Sequence, residues 1–145
     1  MSGLPRMGGL PSTNIDTRFH IDYGWWETQQ AELRNYLLTH ISDLSLRDRL
    51  KQSSPDKVYD FVDPETGEIS RLNALEVAIK QQASKAEFIN QHISLVDNVF
   101  RVFLANGNSP LSPRELEPIV GKPASLIHKT IGGTTIYKGI HAIDE

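Results

Sequence analysis

Five histidines, His20, His40, His92, His128 and His141, are the side chains best suited to move a proton near neutral pH or to hold a metal ion. They are scattered along the 145 residues, and none has the HExxH spacing that brings two imidazoles to one helix face. Asp60, Asp63, Glu65 and Glu68 form a carboxylate cluster, but without the alternating oxygen ligands of a calcium loop, so they read as a polar turn. Gly121-Lys122-Pro123 places proline where a phosphate loop needs Ser or Thr for magnesium, and the upstream glycine is missing. Gly132-Gly133-Thr134 lacks the preceding strand that such a loop requires, and no G-x-S-x-G elbow is present. The chain has no cysteine, which removes thiolate zinc sites, thiol nucleophiles and disulfides. These patterns predict no catalytic residue, no metal and no cofactor, and thus a chain that is not an enzyme.

What remains is a chemistry of contact. The formal net charge is −3 and 39% of residues are hydrophobic, enough apolar content for a core without covalent staples. Met1–Val96 carries 10 cations and 13 anions, and Asp97–Glu145 carries 5 of each. Without a basic run, a protein that coats nucleic acid is disfavoured, because phosphate neutralisation needs clustered Lys and Arg. From Pro113 to Ile143 the balance turns positive, with Arg114, Lys122, Lys129 and Lys138 against Glu115 and Glu117. Met1 to Pro11 has no continuous apolar core, and no stretch is apolar enough for a membrane span. A cytoplasmic protein with no membrane contact is the expectation.

The elements that must position such contacts follow from periodicity. Gly3, Pro5, Gly8, Gly9 and Pro11 leave residues 1–17 as a flexible leader. Trp26, Leu33, Leu37, Ile41 and Leu44 form one helical stripe, predicting a first helix from Trp25 to Ile41 and core packing for the Tyr23, Trp25 and Trp26 cluster. Leu44, Leu46 and Leu50 predict a brief second helix. The alternation of Val58 to Leu72 around Asp63-Pro64-Glu65-Thr66-Gly67 predicts a β-hairpin, with Gly67 at positive φ. Asn73 with Glu76 opens a helix that buries Leu75, Ala78 and Ile79. Ser84 with Glu87 reads as a capping box opening a long helix, Phe88 to Leu104, that ends at Asn106-Gly107.

Four helix-start devices coincide in Leu111-Ser-Pro-Arg-Glu-Leu-Glu-Pro-Ile-Val-Gly121. Ser112 is the N-cap, Pro113 fits the first helical position, Glu115 completes a capping box, and Leu111 with Leu116 makes a hydrophobic staple. Gly121 stops this helix, and Lys122-Pro123-Ala124 opens another with Leu126, Ile127 and Ile131 inward. Gly132-Gly133 ends it, and Thr134 to Ile143 reads as a tight hairpin about Lys138-Gly139 or one alternating strand. A long helix, two short helices across a glycine turn and a terminal β segment resemble the winged helix-turn-helix superfamily over about the last 50 residues, with LSPRELEPIVGKPASLIHKTI as the core. Glu117 stands where that pattern has a small residue, Lys122 stands at a turn position that is often apolar, and Pro118 predicts a kinked or partly 3₁₀ helix.

The resemblance implies that the second short helix enters the major groove of double-stranded DNA. Ser125 and His128 would then face base edges, Lys122 and Lys129 phosphates, and Tyr137, Lys138 and His141 on the wing the backbone or minor groove. The expected architecture is α+β, mostly α: a leader at 1–17, a helical region with a hairpin at 18–83, and, packed against it, a winged helix at 84–145. The expected function is DNA binding in transcriptional regulation, with the N-terminal region supplying a homodimer or partner contact. The rival is a protein–protein interaction adaptor or subunit of a larger assembly, because winged helices also serve as docking modules.

Overall fold

The computed structural model describes residues 12–143, so the expected leader lies outside the described residues over 1–11. The elements, in chain order, are β1 (Phe19–Ile21), α1 (Gln30–Leu38), α2 (Leu44–Lys51), β2 (Val58–Val62), β3 (Ile69–Asn73), α3 (Ala74–Ala83), α4 (Leu95–Ala105), α5 (Pro113–Val120), α6 (Ala124–Ile131) and β4 (Ile140–Ala142). Two 3₁₀ turns, Tyr23–Gln29 and Ala86–Phe88, complete the list. The architecture is α+β and mostly α, as expected. The chain divides into two compact units, residues 26–88 and a second built from both flanks, up to Trp25 and from Ile89 onward. That division replaces the expected boundaries at 17 and 83, because β1 belongs with the C-terminal helices.

In the unit 26–88, the expected first helix is split: 3₁₀ geometry to Gln29, then α1. Trp26 and Ile41 are buried as expected and Trp26 stacks on Tyr36, whereas Leu44 stays on the surface, as do Tyr23 and Trp25 of the other unit. Leu44 opens α2 behind the N-cap Asp43, whose carboxylate accepts from Ser45 N and Leu46 N, and the first turn points Leu44 away from the core. The hairpin forms as predicted. β2 and β3 pair antiparallel from Val58↔Asn73 to Val62↔Ile69, and Gly67 sits at φ 73°. Asn73 and Glu76 form the capping box of α3, which buries Leu75, Ala78 and Ile79.

The long helix from Ser84 does not form. Ser84 instead terminates α3, its hydroxyl donating to Gln81 O, and the chain makes only a 3₁₀ turn to Phe88. The helix proper begins at α4, capped by Ser94 through Asp97 N. Asn98 is the reason for the late start: its side chain holds Asn90 N and Asn90 O (3.2 and 2.6 Å), fixing the preceding loop in a non-helical path.

In the second unit, α4, α5 and α6 surround Val99, Phe100, Phe103, Leu116, Ile127 and Ile131, all buried. β1 closes this core with Phe19 and Ile21. It is a central strand. One edge pairs with β4 (Phe19↔Ala142 to Ile21↔Ile140), and the other exchanges two hydrogen bonds with Leu111 (2.8 and 3.0 Å). Asn108, at φ 62°, extends that edge by imitating a strand: its Oδ1 accepts from Ile21 N and its Nδ2 donates to Ile21 O, both at 2.8 Å.

The terminal β segment is neither a hairpin nor one long strand. Lys138 (φ 56°) and Gly139 (φ 73°) form a tight turn closed by Ile140 N to Tyr137 O, with positive φ at both central residues as in a type I′ turn. Thr134 to Tyr137 ahead of the turn makes no strand, so β4 finds its partner in β1.

A candidate nucleic-acid interface on α5 and α6

The helix pair is set by its caps. Ser112 Oγ accepts from Glu115 N at 3.1 Å while Glu115 accepts from Ser112 N at 3.0 Å, and Pro113 occupies the first turn where its missing amide costs nothing. The Ser112 amide holds the Glu115 carboxyl below its usual range, helped by Arg18 at 3.5 Å. Leu116 is fully buried. α5 stays α-helical through Pro118 rather than turning 3₁₀, because the proline forfeits one bond only and Gly121 N still reaches Glu117 O at 2.9 Å. Gly121 adopts φ 72°, the left-handed cap that turns the chain into α6.

Pro123, ahead of α6, has no side-chain oxygen to cap it. Glu117 supplies the cap from α5: its Oε1 accepts from Ala124 N at 2.7 Å. A carboxylate at this helix start is stabilised by the orphan amides and the helix dipole. The departure from a small residue at this position is therefore a tie between the two helices.

α6 buries Ala124, Ile127 and Ile131. Leu126 is 44% exposed, contrary to its expected inward position. The error is one of phase: the buried face runs through Ala124, and Leu126 lies on the side away from it. Lys129 points most directly away from the buried face, with Ser125 and Leu126 on either side, all exposed. Lys122, exposed, stands just ahead of the helix. Gly121–Ile143 contains three lysines and no carboxylate, so the lysines on this surface meet no acidic residue from their own segment. An open cleft of about 620 Å³ adjoins the stripe, lined by Leu126, Lys129 and Thr130 on one side and Thr134, Thr135 and Tyr137 on the other.

His128 does not share this face. It is half-buried beside the core, its Nε2 lies 2.8 Å from Thr13 Oγ1, and its ring fills the space above Gly132, where a Cβ would come within 2.6 Å of it. The same Thr13 hydroxyl reaches Gly132 O at 3.3 Å. Residues 12–17, expected as part of a flexible leader, thus run along both helices. Ile15 O accepts from Arg114 N at 3.0 Å, and Asp16 pairs with Arg114 through two bonds of 2.7 and 3.3 Å. The Arg114 guanidinium holds the Asp16 carboxyl below its usual value, and Asp16 raises that of Arg114 in return.

His141 lies in β4 opposite His20, with Nδ1 2.8 Å from Ala142 O, and so is part of the sheet rather than of a wing tip. Tyr137 is 45% exposed and Lys138 sits in the turn. Ser125 and Lys129 thus share the outward side of α6, Lys129 and Tyr137 line the same cleft, Lys122 is exposed ahead of the helix, and His128 and His141 lie elsewhere. Among the described residues no group of three or more His, Asp or Glu is arranged to hold a metal ion, and no helix is long and apolar enough to cross a membrane. No family model, no characterised protein and no solved structure matches this chain.

Proposed function

We propose that this protein binds double-stranded DNA through α6, in the manner of a winged helix-turn-helix, as a regulator of transcription. One observation carries the reading: the outward face of α6 offers Lys129 between Ser125 and Leu126, follows Lys122, and belongs to a stretch without a single carboxylate. A lysine pair suits phosphates on either side of a groove, and a serine between them suits a base edge. The helix is also tied at its start to Glu117 and at its end to Thr13, contacts that fix where its outward face is presented.

The test is binding of random-sequence duplex DNA by fluorescence anisotropy over a range of salt. Lys122→Ala and Lys129→Ala should each flatten the slope of log affinity against log salt by about one unit, the signature of one lost phosphate contact. Absence of measurable duplex affinity at low salt would sink the reading.

A second reading, a protein-interaction adaptor, is favoured by two exposed apolar side chains of this unit, Ile119 on α5 (46% exposed) and Tyr137 (45% exposed). Exposed apolar side chains ringed by polar ones are what a protein partner would cover. Under that reading Ile119→Asp abolishes partner binding and the lysine variants leave it nearly intact.

A further inference from the structure

We propose that His20 and His141 form a two-imidazole site for a divalent transition metal on the outward face of the β1–β4 pair. The site is independent of the DNA-binding reading. Strand register sets His20 directly opposite His141, between the pairs Phe19↔Ala142 and Ile21↔Ile140. Phe19, Ile21 and Ile140 are buried in the core of the unit, so strand alternation turns both histidines to the other face, where both are half-buried. Side chains directly opposite in an antiparallel pair have Cβ atoms about 4.5–5.5 Å apart. Two imidazoles at that spacing can reach one ion, each through a bond of about 2.0–2.1 Å. The backbone beneath them is fixed on both sides, by Ile143 N to Arg18 O at 3.0 Å and Asp22 N to Gly139 O at 2.8 Å.

The hydrogen bond of His141 prepares it as a ligand. Its Nδ1 lies 2.8 Å from Ala142 O, and a carbonyl oxygen only accepts, so the ring proton sits on Nδ1. The lone pair of the neutral ring is then on Nε2. A backbone carbonyl on the other ring nitrogen is the usual support of a metal-bound histidine, because it fixes the tautomer. Among the described residues no third ligand is grouped with the pair, and Asp22, two residues after His20, gives its Oδ1 to the Gly24 amide at 2.9 Å. Water therefore completes the coordination. Imidazole ligands select Cu²⁺, Ni²⁺ or Zn²⁺, whereas Mg²⁺ and Ca²⁺ take oxygen. An ion held there clasps β1, the strand that closes the core, to β4.

The experiment titrates the full chain with Ni²⁺ by isothermal calorimetry, with Mg²⁺ as the control ion. His20→Asn and His141→Asn should each weaken Ni²⁺ binding by roughly a hundredfold, since each removes a second ligand that binds intramolecularly. The double variant should be little weaker than either, and replacement of the exposed His92 by Asn should change nothing. Ni²⁺ should also raise the urea midpoint of the parent and leave that of each single variant unmoved. Should a variant fail to fold, the parent alone decides. Substoichiometric Cu²⁺ should broaden the ring-proton resonances of His20 and His141 before those of His40, His92 and His128. Equal Ni²⁺ affinity in the parent and either single variant, broadening that starts at another histidine, or no Ni²⁺ binding by the parent overturns the site.

Discussion

The Glu117 carboxylate of α5 accepts a 2.7 Å hydrogen bond from the Ala124 amide that opens α6. The two helices of the candidate interface are thereby joined by more than the Gly121 turn. Proline at 123 fixes the approach to α6 but supplies no cap, and one orphan amide would otherwise lie at a partly buried corner. Glu117→Ala should cost about 0.5–2 kcal/mol, the usual loss for a removed N-cap. Glu117→Gln keeps an accepting oxygen and should cost less. Urea unfolding of both variants checks this, and equal midpoints for parent and Glu117→Ala would show that the cap contributes nothing.

The strand β1 makes a second prediction, this time against the simplest reading of the chain. A fragment starting near Ser84 contains every helix of the expected winged helix, yet it lacks Phe19, Ile21 and the strand that β4 and Leu111 both pair with. Losing a buried Phe alone is worth about 3–5 kcal/mol, comparable with the whole stability of a small unit. Residues 84–145 should therefore show no cooperative thermal transition, and a peptide of residues 12–25 should restore one when added in excess. Asn108→Gly tests the same edge within the full chain. It accepts the φ of 62° while removing both bonds to Ile21, and it should cost on the order of 1–3 kcal/mol. Cooperative melting of the fragment alone would refute the role given to β1.

The features legible in the sequence are those written within a few residues of one another. The Ser112 and Asn73 capping boxes, the Gly67 hairpin and the Gly121 turn each depend on local backbone needs that particular side chains meet. Ser84 with Glu87 has the same spacing and fails, because Asn98 claims the backbone of Asn90 and the helix can begin only at Ser94. Periodicity also mistook the phase of α6, where a small residue, Ala124, takes the buried position and the larger Leu126 is displaced outward. The pairing of β1 with β4 spans more than a hundred residues, and neither three-residue strand has a pattern strong enough to announce its partner. Of the candidate site, the lysines and Ser125 were legible as residues outside the apolar stripe. The engagement of His128 was not, because its partner Thr13 lies in a stretch whose Gly and Pro content reads as a leader.

That engagement changes what His128 is expected to do. As a residue facing base edges, its replacement by Ala would relax sequence preference and leave the fold intact. In the structure its Nε2 meets Thr13 Oγ1 at 2.8 Å, and its ring lies over Gly132 at a distance that excludes even a methyl group. The side chain thus pins residues 12–17 to the end of α6, next to the Asp16–Arg114 pair on α5. His128→Ala should lower stability by about 1 kcal/mol, the net worth of one such hydrogen bond, and leave the ranking of duplexes unchanged. Thr13→Val removes the same bond from its other end, so the double variant should cost less than the sum of the two single changes. Gly132→Ala should cost more than either single change, because its Cβ would meet the His128 backbone carbonyl at 2.8 Å as well as the ring, and that part of the cost should persist in the Thr13→Val background. Additive costs for His128→Ala and Thr13→Val, together with a changed duplex preference for His128→Ala, would return His128 to the binding face.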